Sequence, residues 1–383
     1  MKRWIPTLMT AASLVAILSL ACAAEPPAQK PDGAARQNGG ANGAPQQGGP
    51  ATQDGGNGAE AGGIRWLTSW EQARRQAEQQ RMPIFIHFTT DWCSWCRKIE
   101  QETYPTPVAQ AALSGYVPVR LNCTDTESPE GQKCVELLKE FGGSGYPYLV
   151  MVTPDKVVLD AISGYVPAEP LAMALDRAKG LYQEWLEFQQ WSQTVDRSGY
   201  EYAYRSMEIN ARLGRTDQAA EAARQVLKLD PENRQGHKAA AALALLRQAQ
   251  TATTTQPATT QQADQMTKWA EVIRTDDPKN EKGVLQHLLV METLTSLRAF
   301  TMSEDPDQRQ ALLDEAAQSL DELQKVGNLP EQQQVLWAYL GQFRAMLGQK
   351  DQAMQAINNA IQAAPQSQLA GQLKAMLDAI NQQ

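Results

Sequence analysis

Two cysteines separated by two residues, Cys93 and Cys96, directly follow a short apolar run, and this arrangement most constrains the fold of the chain. The run over 84–88 is β-branched and aromatic, which predicts a buried strand. Residues 97–102 are good helix formers, so Cys93 is expected where a helix begins. Free backbone N–H groups and the helix dipole favour an anion there, so its thiol should ionise readily. Cys96 lies one helical turn further along and can reach the first sulfur, which predicts a reversible dithiol/disulfide pair.

Four segments together resemble the thioredoxin superfamily. They are Trp92-Cys93-Ser94-Trp95-Cys96-Arg97, Gly145-Tyr146-Pro147-Tyr148-Leu149-Val150, the turn Thr153-Pro154-Asp155-Lys156 and the pair Gly164-Tyr165. The resemblance covers about residues 64–180 and is similar to secreted thioredoxin-like proteins related to thiol:disulfide interchange domains. It implies an α/β domain with a mixed central sheet flanked by helices. It also implies that Pro147 is the family's cis-proline, faces the two sulfurs and, with Tyr146 beside it, holds a substrate strand.

Within this domain, hydrophobic spacing and capping residues predict the remaining elements. They are an opening helix over 66–80 with Thr68 or Ser69 as its cap, a strand over 117–121, a helix over 131–141, a hairpin strand over 157–161 and a closing helix from about 168 to 179. Pro105 and Pro107 are expected to end or kink the helix that carries the motif.

Two positions depart from the family's pattern. The family usually carries a buried acid six residues before the first cysteine, and here that position is His87. His87 could shuttle a proton itself or could be a hydrogen-bonded core histidine, and the second interpretation is favoured because burial disfavours the charged ring. Trp92 matches the family's tryptophan, but Trp95 occupies an inner position where thioredoxin itself has proline. Because the inner pair tunes the redox potential, the direction of the reaction stays open, and Trp95 could contact an unfolded or peptide partner.

Three further cysteines complete the chain: Cys22, Cys123 and Cys134. Cys123 and Cys134 are expected to form a second, structural disulfide that closes a polar loop, since four domain cysteines suit an oxidising compartment. They could instead be unpaired. A zinc site built from all four sulfurs is disfavoured because ten residues separate the second pair, so no metal is predicted, and no cofactor is needed.

The N-terminal region indicates export. Residues 1–24 have a basic start, an apolar core and small residues at the end, as in a signal peptide. The segment ending at Cys22 resembles a lipobox, although Ser19 stands where leucine is usual, so lipidation of Cys22 competes with plain cleavage after Ala23 or Ala24. Residues 25–63 are rich in Gly, Ala, Pro, Gln and Asn and predict a flexible tether. The expected location is a bacterial periplasm or cell envelope, with membrane contact only through a lipid anchor.

Residues 181–383 predict an all-α domain. The sequence Leu213-Gly214-Arg215-Thr216-Asp217-Gln218-Ala219 recurs as Leu347-Gly348-Gln349-Lys350-Asp351-Gln352-Ala353, and each copy is followed by a proline, Pro231 or Pro365. With Trp337, Leu340, Gly341, Ile357 and Ala360, the second copy resembles a tetratricopeptide repeat, which implies stacked helix pairs and a face that binds a protein or peptide. A spacer or a dimer surface is the alternative. Units between about 264 and 330 look degenerate, 248–262 predicts a flexible loop, and His237 and His287 look structural.

A net charge of −8 without a basic stripe argues against nucleic acid as a partner.

The sequence is compatible with three functions. The leading hypothesis is an exported thiol-disulfide oxidoreductase that acts on protein thiols or disulfides through Cys93 and Cys96, exchanges electrons with a redox partner and recruits a partner through its repeats. The alternatives are a non-enzymatic envelope adaptor with a fixed disulfide and a redox sensor.

Overall fold

The computed structural model describes residues 60–61, 63–252 and 259–381, so the predicted export signal, Cys22 and nearly all of the predicted tether lie outside the described residues. This part of the chain forms two compact units. The first ends at Thr194 and the second begins at Val195. Across the described ranges, no helix combines the length and apolar character needed to cross a bilayer.

The first unit is built on a four-stranded mixed sheet. Its elements are β1 (Glu60–Ala61), β2 (Ile64–Arg65), α1 (Trp70–Gln80), β3 (Ile84–Thr89), α2 (Ser94–Lys98), a π-helical turn (Ile99–Thr103), α3 (Pro107–Leu113), β4 (Val117–Asn122), α4 (Pro129–Glu140), β5 (Tyr148–Val152), β6 (Val158–Ser163) and α5 (Ala168–Trp191). The strand order is β4-β3-β5-β6, in which β3 pairs parallel to β4 and antiparallel to β5. This confirms the predicted α/β fold with its mixed sheet and flanking helices.

The central strand β3 is buried along its whole length, as its β-branched and aromatic sequence predicts. On one face, Ile84, Ile86 and Phe88 join a core formed with α1 and α4. On the other face, Phe85 packs against Trp66 and Tyr104, with ring centroids 6.0 and 6.3 Å away. The strand that leads into the cysteine motif is therefore fixed from both sides.

In this unit two predicted helix ends were wrong and one helix was not predicted, although the motif helix does end before Pro105 as expected. The opening helix begins at Trp70, with Ser69 as its cap, because the preceding Leu67 forms a parallel bridge with Val119 and Trp66 is fully buried. An additional helix, α3, follows Pro105, since Thr106 caps it and proline fits its first turn. The closing helix continues past 179 to Trp191, so the boundary predicted at 180 lies inside α5.

The second unit consists of helices in the described ranges. They are α6 (Tyr200–Arg212), α7 (Thr216–Leu229), α8 (Lys238–Ala252), α9 (Thr260–Asp276), α10 (Val284–Met302), α11 (Pro306–Val326), α12 (Pro330–Met346), α13 (Lys350–Ala363) and α14 (Gln368–Asn381). Helices adjacent in sequence pack against each other, which is consistent with the predicted helical repeats. The loop predicted over 248–262 is too long, because α8 continues to Ala252 and Thr259 caps α9 through a capping box.

Candidate functional site

Cys93 and Cys96 form a disulfide at the junction between β3 and α2, with their Cα atoms 5.3 Å apart. Cys93 is the residue that caps α2, and its sulfur accepts a hydrogen bond of 3.1 Å from the backbone N–H of Cys96. This is the strand-to-helix position predicted from the spacing. The same N–H group is available to a thiolate on Cys93 when the pair is reduced.

The two sulfurs lie just beneath the surface. Cys93 is 4% exposed and Cys96 is 1% exposed, so an incoming thiol or disulfide meets Cys93 first. The neighbouring tryptophans stand out from the surface, with 68% of Trp92 and 54% of Trp95 exposed. Single exposed apolar side chains are common on folded domains, but grouped ones often mark an interaction site, and here two exposed tryptophans flank one disulfide.

Trp92 connects the motif to the loop that carries Pro147. Its ring meets the ring of Tyr146 in a T-shaped contact, with 5.8 Å between centroids. The Tyr146–Pro147 peptide bond is cis. Pro147 itself is buried, and its carbonyl already accepts a hydrogen bond of 2.9 Å from the N–H of Gly164. The structure therefore brings together the two segments that the resemblance paired, although Trp92 and Tyr146 are 54 positions apart in the sequence (146 − 92).

Trp95 belongs to a second aromatic contact. Its ring lies 5.8 Å from that of Tyr165, and the ammonium group of Lys98 sits 5.3 and 4.7 Å from the centroids of the two rings. The hydroxyl of Tyr165 donates a hydrogen bond of 3.0 Å to Glu102. Sequence reasoning did not identify Lys98 or Tyr165 as site residues. The signal available was the Gly164-Tyr165 pair, which entered the resemblance only as the glycine that precedes the final helix.

His87 is a core residue without a hydrogen-bonding role among the described residues. Both of its ring nitrogens are buried and lack a hydrogen-bond partner there, and the nearest carboxylate oxygen, on Glu100, is 4.0 Å away. Burial, and then the charge of Arg120, lower the pKa of His87 from 6.5 to about 3. The ring is therefore neutral near pH 7, which supports the core interpretation over proton shuttling, but the expected hydrogen bond is absent.

Cys123 and Cys134 also form a disulfide, with their Cα atoms 5.3 Å apart. It joins the residue after β4 to the middle of α4, and both cysteines are buried in the core beside Phe88. The polar residues on either side of Cys123 contact the loop that precedes the motif. Asn122 and Thr124 both form hydrogen bonds of 2.7 Å with Asp91. Sequence reasoning predicted the pairing but not this connection.

A thioredoxin-like family model matches residues 65–154. Two curated relatives, both named thiol:disulfide interchange protein DsbD and from two strains of Campylobacter jejuni, are 21% identical over 111 residues, which is 29% of this chain and 19% of each relative. The chain thus spans about a fifth of the length of these relatives.

Solved structures give similar results. The oxidised C-terminal domain of Neisseria meningitidis DsbD is 23% identical, with a TM-score of 0.26, over 28% of this chain and 90% of that one. A structure titled DsbH oxidoreductase is 21% identical, with a TM-score of 0.27, over 34% of this chain and 95% of that one. The family match and the strand order of the sheet show that residues 65–154 form a thioredoxin-like domain.

Proposed function

We propose that this protein is an exported thiol-disulfide oxidoreductase that uses the Cys93–Cys96 pair on protein substrates. The observation that carries the proposal is the placement of that pair. The more exposed sulfur caps a helix, receives an N–H from Cys96 and lies between two exposed tryptophans. This combination favours an ionised, approachable Cys93 and a partner made of polypeptide.

The exchange takes two steps. The Cys93 thiolate attacks one sulfur of a substrate disulfide, forming a mixed disulfide and releasing the other substrate sulfur as a thiolate that takes up a proton. The Cys96 thiol then loses its proton, and its sulfur attacks Cys93. The substrate leaves with two thiols, and the Cys93–Cys96 disulfide holds the oxidised state. In the reverse direction, the same residues transfer the Cys93–Cys96 disulfide to a substrate dithiol. A redox partner protein then returns the pair to its starting oxidation state, reducing it after the first reaction or oxidising it after the second.

The substrate strand is proposed to lie between the motif and the loop at Pro147. The carbonyl of Pro147 is engaged by Gly164, and proline has no N–H, so the peptide groups around Tyr146 would pair with the substrate backbone. Trp92 and Trp95 would contact apolar side chains on either side of the substrate cysteine. The buried, neutral His87 is given no proton-transfer role in this scheme.

The remaining parts of the proposal concern location and recruitment. Export rests on the signal-like sequence of residues 1–24 and on the two disulfides in one domain, which suit an oxidising compartment. Lipid attachment at Cys22 would leave the domain on a polar tether at a membrane surface. The helical unit would bind the substrate protein or the redox partner, as stacked helix pairs commonly bind polypeptide.

Turnover with defined variants tests the proposal. The full chain should catalyse the reduction of insulin disulfides by dithiothreitol, and Cys93→Ser should abolish catalysis. Cys96→Ala should instead accumulate a mixed disulfide through Cys93, which mass spectrometry of envelope proteins would identify together with the substrate. Unchanged turnover in Cys93→Ser would refute the enzymatic role.

The large share of the folded chain taken by the helical unit favours one alternative, an adaptor in which the repeats bind protein and the Cys93–Cys96 disulfide is a fixed crosslink. The reduction potential separates the two functions. A Cys93–Cys96 potential below about −300 mV is typical of structural disulfides, whereas roughly −120 to −270 mV is the range of catalytic pairs. A value in the structural range, together with no insulin reduction, would establish the adaptor.

A further inference from the structure

Hydrogen bonds at the ends of β3 and β4 connect the segments that carry the two disulfides of the thioredoxin-like unit. Thr89 and Asn122, the last residues of β3 and β4, pair in register. The next residue, Cys123, donates its backbone N–H to the carbonyl of Thr89 at 2.9 Å. The backbone pairing of β3 with β4 thus extends one residue beyond the strands. It reaches Cys123 after β4 and the start of the motif loop after β3.

The motif loop is then held at Asp91, two residues before Cys93. The backbone N–H of Asp91 donates to Oγ1 of Thr124 at 2.7 Å, and Nδ2 of Asn122 donates to Oδ1 of Asp91 at 2.7 Å. Thr124 closes the ring by donating its hydroxyl to Oδ1 of Asn122 at 2.6 Å. From the helix side, Arg97 donates to the carbonyl of Asp91 at 2.7 Å. Asp91 is therefore fixed to both the β4 loop and α2.

This ring of hydrogen bonds is at the surface, where water competes for the same groups. Asp91 and Asn122 are exposed and Thr124 is half-buried. Such bonds contribute little unless their partners are already held in place. The residue between Asn122 and Thr124 is Cys123, which is 2% exposed and covalently bonded to Cys134 in α4. The buried crosslink therefore fixes the two side chains that hold Asp91.

We propose that the Cys123–Cys134 disulfide, through Asn122 and Thr124, is a positioning element for the Cys93–Cys96 pair. By fixing Asp91 it keeps Cys93 at the start of α2, within reach of Cys96, and so raises the effective concentration of one sulfur at the other. Loosening this connection should make the Cys93–Cys96 disulfide easier to reduce. The proposal rests on the redox role proposed above, but its test needs only the equilibrium of the pair.

The test uses the full chain and four variants. One lacks the crosslink (Cys123→Ala with Cys134→Ala), one lacks the link to Asp91 (Thr124→Val), one combines these changes, and one is a matched control (Thr126→Val). Thr126 is an exposed threonine of the same loop that has no hydrogen bond to Asp91 in the described part of the chain. The readout is the fraction of Cys93–Cys96 disulfide across dithiothreitol ratios, measured by alkylation and mass spectrometry.

We expect the crosslink variant and Thr124→Val each to raise the equilibrium constant for reduction by about 3- to 10-fold, the effect of one or two modest hydrogen bonds. The combined variant should change it no further, because both changes break the same connection. Thr126→Val should match the unaltered protein. Two results would overturn the proposal. One is a combined variant whose change in the equilibrium constant for reduction is the product of the two separate changes. The other is a Thr124→Val variant whose equilibrium constant equals that of Thr126→Val.

Two features keep the outcome interpretable. If the crosslink variant does not fold, the comparison of Thr124→Val with Thr126→Val decides the proposal alone, since neither alters a disulfide. The equilibrium with a small dithiol is set by the pair itself, so it can be measured even in a protein that reduces no insulin. Failure of the catalytic function and failure of the positioning role are thus separate results.

Discussion

The indole ring of Trp92 meets the phenol ring of Tyr146 edge to face, at an interplanar angle of 84° and a centroid distance of 5.8 Å. Trp92 directly precedes Cys93, the first motif cysteine, and Tyr146 directly precedes the cis-proline. The contact therefore joins the reactive pair to the segment proposed to hold a substrate strand, and it leaves 68% of Trp92 exposed to a partner.

Loss of the Tyr146 ring should weaken substrate binding. Tyr146→Ala removes the edge-to-face contact, and since such pairs contribute about 0.5–1.5 kcal/mol, kcat/KM for insulin reduction should fall about 2- to 12-fold, mainly through KM. Tyr146→Phe keeps the ring and should stay close to the unaltered protein. Met302→Ala, an exposed apolar residue of the helical unit, serves as a control. Equal effects of the Ala and Phe substitutions would contradict the role assigned to the ring.

The three histidines should titrate differently. Burial, with a contribution from Arg120, lowers the pKa of His87 to about 3, and burial with Arg247 nearby lowers that of His287 to about 4. His237 has a pKa that is lowered as well, chiefly by burial. Imidazole NMR signals of the full chain between pH 8 and 5 should show two rings that stay neutral. His87→Gln and His287→Gln assign them, and a His87 signal that titrates near pH 6.5 would contradict the buried environment.

This shift in pKa has a consequence for stability. Between pH 6.5 and about 3 the unfolded chain protonates His87 while the folded chain does not, so the unfolded state binds more protons. The free energy of unfolding should therefore fall as the pH drops below 6.5, by up to about 1.4 kcal/mol per pH unit from this group. His87→Phe should remove that part of the loss, as measured by urea denaturation of the first unit at pH 7.5 and 5.5.

Gly131 should not tolerate a side chain. A Cβ at this position would lie 1.6 Å from the backbone carbonyl oxygen of Asp125, inside the loop closed by Cys123–Cys134. Gly131→Ala must move that backbone and should destabilise the unit by about 1–3 kcal/mol or more. Gly180→Ala, in open space on α5, should instead stabilise it by about 0.5–1 kcal/mol. Calorimetric unfolding of the full chain compares the two, and a neutral Gly131→Ala would count against the loop geometry.

Gly341 tests the repeat pattern in the helical unit. A Cβ there would lie 2.8 Å from Cγ1 of the buried Ile357 and 3.2 Å from the carbonyl oxygen of Ala353, so α12 and α13 approach closely at this point. Gly341→Ala should destabilise the unit by about 1–3 kcal/mol, whereas Gly371→Ala in open space on α14 should not. Ile357→Ala should destabilise the unit less in the Gly341→Ala background than in the unaltered protein. The reason is that shortening Ile357 removes the side chain against which the new Cβ would clash. Additive costs would indicate that the helices do not touch here.

Parts of the fold that depend on local sequence were predictable. The apolar run before Cys93 specified β3, and the two-residue spacing put both sulfurs at a helix start, because backbone geometry over a few residues leaves little freedom. Helix ends were less predictable. Trp66 fits a helical pattern, but pairing of the next residue with Val119, more than 50 residues away, holds this segment extended.

The composition and the order of motifs alone determined that this chain carries an α/β domain with a redox-capable cysteine pair, followed by a helical array. Only the tertiary structure decided what surrounds that pair: the contact of Trp95 with Tyr165, the burial of His87 without a hydrogen-bond partner among the described residues, and the hydrogen bonds of Asn122 and Thr124 with Asp91. The physical reason is that these contacts join segments roughly 30 to 70 residues apart. Their formation depends on the order and register of strands in the sheet, which short-range spacing does not specify.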